Sequence, residues 1–225
     1  MKQIVFFPTN NIGKYERYQG AFQKKGIDYQ RYWIDAQGKE VKVEVPEDGK
    51  SLEENARKKA QAYYDAYKLI MPQTQFAVIT TDEGLYIEGL EDEQQPGMFV
   101  RRFNGLDADR ATDQEVVARY TSLVRSRGGE VNAKWEYSLV MYDGKAFKDL
   151  TWQEPVRFSD TPHLPITKGY VLNNITIVRK EKGQNIMLSD LSPEERDQYL
   201  ARYTDKVASF VKENMERQLG NYIEL

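Results

Sequence analysis

Phe76-Ala77-Val78-Ile79-Thr80-Thr81-Asp82-Glu83-Gly84-Leu85 decides how the rest of the chain is read. An apolar, β-favouring run meets two adjacent carboxylates and a glycine. The pattern predicts a buried strand that delivers acids to its carboxyl end, where an open sheet meets solvent and where metal and acid–base sites are commonly built. An acidic strand end before glycine also fits a plain turn. The neighbouring stretches have to separate the two.

Composition narrows the classes first. The 225 residues suit one large domain or two small ones, either able to bury a core. With 40% hydrophobic and 30% charged residues the chain reads as globular. A net charge of −3, from 32 basic and 35 acidic side chains, argues against a general nucleic-acid binder and leaves room for a local phosphate pocket. The absence of cysteine excludes disulfides and thiolate chemistry, and the single histidine, His163, excludes a multi-histidine metal centre within one chain. His163 itself, in a loop without a visible partner cluster, reads as a surface residue. No apolar run approaches a membrane span, and Met1-Lys2-Gln3-Ile4 starts no signal-peptide core. The expectation is a cytoplasmic protein with neither a membrane nor a nucleic-acid partner.

Gln3 to Phe7 predicts a first strand, buried on both faces. Pro8 stops it, and Thr9-Asn10-Asn11-Ile12-Gly13-Lys14 leads into an amphipathic helix from Tyr15 to Lys25. That turn sets backbone N–H groups, short polar side chains and a lysine at a helix N-terminus, which suits a phosphate; a plain asparagine cap with an exposed lysine fits it too. Ile27 to Ile34 and Glu40 to Val45 predict two more strands, the second with Val41, Val43 and Val45 in alternation. Ser51-Leu52-Glu53-Glu54 is a capping box, with Ser51 as cap and Glu54 as its reciprocal partner, opening a helix to about Leu69. Asn55 and Lys59 share a face of that helix beside Ala56 and Ala60.

Tyr86 to Glu88 predicts a short strand, and Thr112-Asp113-Gln114-Glu115 opens a helix to Ser126. Trp135 to Tyr142 and Lys145 to Trp152 predict a hairpin at Asp143-Gly144, continued by Pro155 to Phe158. A loop follows to Gly169, then a strand from Asn174 to Arg179 and a long helix capped by Ser192-Pro193-Glu194-Glu195.

Taken in order, these stretches resemble the inosine triphosphate pyrophosphatase family, the non-canonical purine NTP pyrophosphatases. Thr9 to Lys14 looks like that family's Thr-x-Asn-x-x-Lys phosphate loop. Glu47-Asp48-Gly49-Lys50-Ser51 through Glu54-Asn55-Ala56-Arg57-Lys58-Lys59-Ala60 is similar to its Glu-x-Gly-x-Ser/Thr and Glu-Asn-Ala-x-x-Lys-Ala block. Thr81-Asp82-Glu83-Gly84-Leu85 sits where the family has Asp-Asp-Ser/Thr-Gly-Leu, and Pro96-Gly97, Arg102 and Gly105 follow its next pattern. The match is dense in the first half and thin in the second.

The resemblance implies a mixed α/β fold, elongated and two-lobed, over a single domain 1–225, with a central mixed sheet, flanking helices and a nucleotide cleft between lobes. It implies a homodimer and Mg²⁺-dependent hydrolysis of a nucleoside triphosphate, such as ITP, dITP or XTP, to the monophosphate and pyrophosphate. By that resemblance Asp82 and Lys59 are catalytic, and Glu47, Asp82 and Glu83 hold the metal. Thr9, Asn11, Lys14, Asn55, Tyr170, Arg196 and Arg202 bind substrate. Phosphoryl transfer to water asks mainly for cations on the phosphates and a base for the water, which these residue types supply.

Three departures stand out. Thr81 replaces the first acid of the Asp-Asp pair, leaving Glu83 to restore the charge if it turns inward. Gly169-Tyr170-Val171-Leu172 stands where the family reads its base with Phe-Gly-aromatic-Asp-Pro. Leu200-Ala201-Arg202 replaces Ser-His-Arg. The competing expectations are therefore a pyrophosphatase with changed base preference, a nucleotide-binding or regulatory protein without turnover, and a relative acting on another phosphorylated metabolite.

Overall fold

Strand β1 (Ile4–Phe6) is followed by helix α1 (Ile12–Lys24) and strand β2 (Asp28–Gln30), which pairs parallel with β1 as a crossover unit requires. Helix α2 (Leu52–Ile70) then leads into β3 (Phe76–Ile87), parallel to β1 on its other side, with Phe6 opposite Val78. Helix α3 (Asp113–Ser126), strands β4 (Glu130–Tyr142) and β5 (Phe147–Ser159), the antiparallel pair β6 (Ile177–Glu181) and β7 (Gln184–Met187), and helix α4 (Pro193–Gly220) complete the order. The main sheet runs β2-β1-β3-β4-β5. The short turn between neighbours β4 and β5 is possible only for an antiparallel pair, so the sheet is mixed. This computed structural model describes residues 4–102 and 111–220, with 217–220 by backbone alone. Gln3, Phe103 and Gly105 lie outside the described residues.

The chain divides into two compact units. The first takes residues 4–82, 138–151 and 200–220. Its core includes Phe6, Tyr32, Ala56, Ala60, Tyr63, Tyr67, Phe76, Val78 and Val140. Ala56 and Ala60 are fully buried because a small side chain at each lets α2 lie on the sheet. The Thr80 hydroxyl reinforces that contact by donating to the Ala56 carbonyl at 2.6 Å. Phe6 packs edge-on against Tyr67 and Phe76 at 5.0 and 5.6 Å. The second unit takes residues 83–102, 111–137 and 152–199, around Leu85, Ile87, Val116, Tyr120, Val124, Phe158 and Ile175. Among the described residues no helix is long and apolar enough to cross a membrane.

Mixed α/β architecture agrees with expectation, and several elements do not. β3 does not stop at Asp82 but runs on through Gly84 to Ile87. Gly84 belongs in the strand because a Cβ there would lie 3.3 Å from the Gly97 carbonyl, and Leu85 exchanges two backbone hydrogen bonds with Gly97 at 2.9 Å. Tyr86–Glu88 is therefore largely the end of β3 rather than a separate strand.

Glu40–Val45 forms no strand beyond the bridge from Glu40 to Ile34. Its alternation is real, since Val41, Val43 and Val45 pack against the first core while Lys42 and Glu44 are exposed. After Val41 N–H donates to Trp33, the segment is extended without a ladder. Helix α1 starts at Ile12, since Asn11 rather than Lys14 ends the loop. The β4–β5 hairpin is longer than expected, and Pro155 is accommodated because β5 lies at the sheet edge. Asn174 ends a 3-10 turn (Val171–Asn174), so the strand expected from it starts at Ile177; β7, which lacks alternation, was not anticipated.

Candidate functional site

The loop after β1 is built by its own side chains. Thr9 Oγ1 accepts from the Asn11 N–H at 3.2 Å, and Asn11 Oδ1 caps α1 by accepting from Gly13 N–H at 3.1 Å. Lys14 follows in the first helical turn, where the helix dipole favours an anion. The asparagine cap and the phosphate-ready terminus are thus one structure: the carbonyl oxygen of Asn11 holds the helix while its NH₂ carries donors. Two residues that sequence reading treated only as strand support the loop from behind. Arg31 Nε donates to the Thr9 carbonyl at 2.9 Å, and the Tyr32 hydroxyl donates to Asn10 Oδ1 at 3.0 Å. Their partners are 22 positions away, which local pattern cannot reveal.

Helix α2 supplies the second group. Ser51 caps it, with its hydroxyl accepting from Glu54 N–H at 3.1 Å. Glu54 reaches back to the Lys50 N–H at 2.8 Å rather than to the Ser51 N–H, one residue off the expected box. That N–H bond, with the ammonium of Lys58, holds the Glu54 carboxyl below the usual carboxylate range. One turn on, Asn55 is 3% exposed, and its Oδ1 accepts from Gly49 N–H at 2.7 Å while its Nδ2 donates to Asp82 Oδ2 at 3.2 Å. Lys59, another turn along, lies with Nζ 3.2 Å from Asp82 Oδ1, 3.2 Å from the Thr81 carbonyl and 3.5 Å from Glu47 Oε1. Glu47, Asn55, Lys59 and Asp82 are therefore brought together in the first unit around one ammonium.

Alternation along β3 decides what joins them. Thr80 and Asp82 both reach α2, through Ala56 and through Asn55 and Lys59, so Thr81 and Glu83 point to the opposite face of the strand. Thr81 is buried, 6% exposed. β3 continues to Ile87, so by the same alternation Glu83 shares the face of Thr81. Among the described residues no three His, Asp or Glu side chains are grouped to hold a metal ion. The pair Glu47 and Asp82 still presents hard oxygen donors, and a magnesium-type ion that keeps several waters needs only one or two carboxylates plus substrate phosphates.

The remaining predicted residues lie elsewhere in the chain. Arg202 is exposed on α4 in the first unit. Tyr170 and Arg196 belong to the second unit. Tyr170 is half-buried and precedes the 3-10 turn, and Arg196 Nη2 donates to the Leu191 carbonyl at 3.5 Å. Asp113, read from sequence as part of a helix start and of the familiar stretch Ala111-Thr112-Asp113-Gln114, anchors the Tyr170 loop. Its carboxylate accepts from the Gly169 N–H at 3.0 Å and pairs with Arg101. Burial alone would raise the Asp113 pKa, but the Gly169 N–H and the Arg101 guanidinium outweigh it and hold it below the usual range. His163 has a partner after all: its Nδ1 lies 2.6 Å from Asp190 Oδ2, which also accepts from Met187 N–H.

Comparison with known proteins supports the motif-level resemblance. A model of the Ham1 family matches residues 5–204. A dITP/XTP pyrophosphatase of Aquifex aeolicus (strain VF5) is 27% identical over 206 residues, covering 88% of this chain and 89% of that protein. The solved Ham1 protein of Staphylococcus aureus superposes with a TM-score of 0.64 at 19% identity, over 96% of this chain and 100% of that one. A HAM1 protein from Coxiella burnetii does so with the same TM-score at 17% identity, over 94% and 99%. At these identities the two structures speak for the fold alone, and the mixed α/β fold with a central mixed sheet and flanking helices expected from the motifs is the one present.

Proposed function

The chain belongs to the Ham1 family, and from that premise we propose that it is a Mg²⁺-dependent nucleoside triphosphate pyrophosphatase. It would cleave non-canonical purine triphosphates of the dITP, ITP and XTP kind to the monophosphate and pyrophosphate. The observation that carries the proposal is Asp82 on β3, held by Asn55 and Lys59 of α2, with Glu47 on the same ammonium.

The chemistry follows from these groups. Lys59 and Lys14 offset phosphate charge, and the α1 N-terminus with Asn11 receives phosphate oxygens. Asp82 accepts a proton from the attacking water, whose oxygen bonds to the α-phosphorus. The bond from that phosphorus to the α–β bridging oxygen breaks, and its electron pair leaves with pyrophosphate. A divalent cation, held by Glu47 and Asp82, supplies Lewis-acid neutralisation of the phosphates when bound. Base preference rests on the Aquifex relative's name and on Tyr170, whose ring offers a stacking face. The family's homodimeric state and a cytoplasmic location belong to the same proposal, the first checked by sedimentation equilibrium.

The test is pyrophosphate release from a panel of nucleoside triphosphates with and without Mg²⁺. Turnover of dITP or XTP above the common nucleotides is expected. Nucleotide-dependent thermal stabilisation without turnover would instead favour a binding protein on this scaffold.

A further inference from the structure

We propose that Asn55 is a positioning residue that sets Asp82 for reaction and touches no phosphate; the inference rests on the pyrophosphatase activity just proposed. An asparagine within a helix is disfavoured unless its amide has work there, because it competes with the backbone for hydrogen bonds. Here the residue is 3% exposed and its amide is divided in two: Oδ1 takes the Gly49 N–H at 2.7 Å and Nδ2 gives to Asp82 Oδ2 at 3.2 Å. The other oxygen of Asp82 lies 3.2 Å from Lys59 Nζ. With one donor on each oxygen, both from α2, the carboxylate has one orientation.

The same amide fixes where the Glu47 segment runs. Gly49, two residues past Glu47, approaches so closely that a Cβ there would lie 2.5 Å from Asn55 Oδ1 and 3.1 Å from the Asn55 backbone nitrogen. Only glycine permits this approach without displacing Asn55. The Asn55 amide therefore couples two otherwise separate pieces of chain, the loop carrying Glu47 and the strand carrying Asp82, so that both carboxylates reach the Lys59 ammonium. An amide so engaged at both ends acts through Asp82 and the loop rather than on substrate.

The experiment compares wild-type, Asn55→Ala, Gly49→Ala and the double variant in the full chain. It reads kcat and KM for pyrophosphate release, the Kd of an α,β-imido nucleoside triphosphate analogue titrated without metal, and Tm. Loss of about 10²-fold in kcat is expected for Asn55→Ala, the scale of a misplaced catalytic group, with KM and the analogue's Kd within about threefold of wild type. Gly49→Ala should show the same kcat loss by pushing Asn55 aside, and the double variant should be no worse than either single one, as for two changes acting on one link. If Asn55→Ala does not fold, Asn55→Ser and Gly49→Ala are read the same way. A tenfold weaker analogue with kcat kept would make Asn55 a phosphate ligand and overturn the proposal. So would multiplying losses in the double variant, or a lowered Tm with unchanged kcat. A wild-type protein that releases no pyrophosphate overturns the activity itself, and the positioning role with it, whereas an active wild type with an equally active Asn55→Ala overturns the positioning alone.

Discussion

Asp82 is the residue on which the proposed chemistry turns, and its surroundings say what a substitution does. Asp82→Asn keeps the size and the acceptor facing Lys59 but cannot take a proton. The variant is expected to lose about 10²–10⁴ in kcat while remaining folded, measured by pyrophosphate release alongside circular dichroism. Lys59→Met removes the ammonium shared by Glu47, Asp82 and the Thr81 carbonyl. It should weaken metal-free binding of a triphosphate about tenfold or more, read by titration calorimetry. Asp82 and Lys59 stood out in the sequence as part of an acidic strand segment and of a helical i, i+4 polar pair, which are local patterns, and the family resemblance supplied their roles. The roles of Arg31, Tyr32 and Asp113 were not legible, because what they hold lies 22 to 56 positions away. Thr81 looked like a missing charge until the pleat of β3 put it on the other face.

Elements carry these residues, and their ends are the sensitive points. Ser51→Ala removes the oxygen that accepts the Glu54 N–H at the start of α2. A cap loss of about 1 kcal/mol is expected in denaturant unfolding. Because Asn55 and Lys59 sit in the next two turns, kcat should fall as well. Gly144→Ala tests the β4–β5 turn. Gly144 has φ +86°, and a Cβ there would collide with the Tyr64 ring. Strain of about 1–3 kcal/mol follows, seen as a Tm lower by several degrees with activity per folded molecule retained. Capping boxes and the Asp-Gly turn announced their elements because each is a short-range hydrogen-bond device. The length of β3 and the laddered state of Glu40–Val45 depend on whether a partner strand is present. Alternation at Val41, Val43 and Val45 reports only which side is buried.

For the whole molecule, pH response follows from groups spread through both units. Glu54 is held low by the Lys50 N–H, Glu115 by the Thr112 hydroxyl, and Glu130 by Lys180. Tyr29, Tyr67 and Tyr120 are pushed up by burial. A carboxyl group whose folded pKa is depressed contributes stability above its unfolded value, about 4, and loses it as pH falls through the lowered folded value. A tyrosine whose folded pKa is raised contributes below about 10 and loses its contribution as pH climbs toward the folded value. Tm should therefore be flat from about pH 5 to 9 and fall on both sides, as scanning calorimetry can record. A Tm that peaks sharply inside that window would contradict these assignments. At this scale the mixed α/β class came from the family resemblance, which the motifs carried in their order along the chain. Two lobes were expected, but the place where the chain passes between the two units was not readable, because β3 crosses from one to the other at Asp82–Glu83 without a break in its pattern.

Product analysis tests the central claim most directly. Phosphorus NMR of dITP incubated with the protein and Mg²⁺ is expected to show deoxyinosine monophosphate and pyrophosphate appearing in equal amounts, with no such signals from Asp82→Asn. Deoxyinosine diphosphate and inorganic phosphate, or the same products from the Asp82→Asn protein, would contradict it.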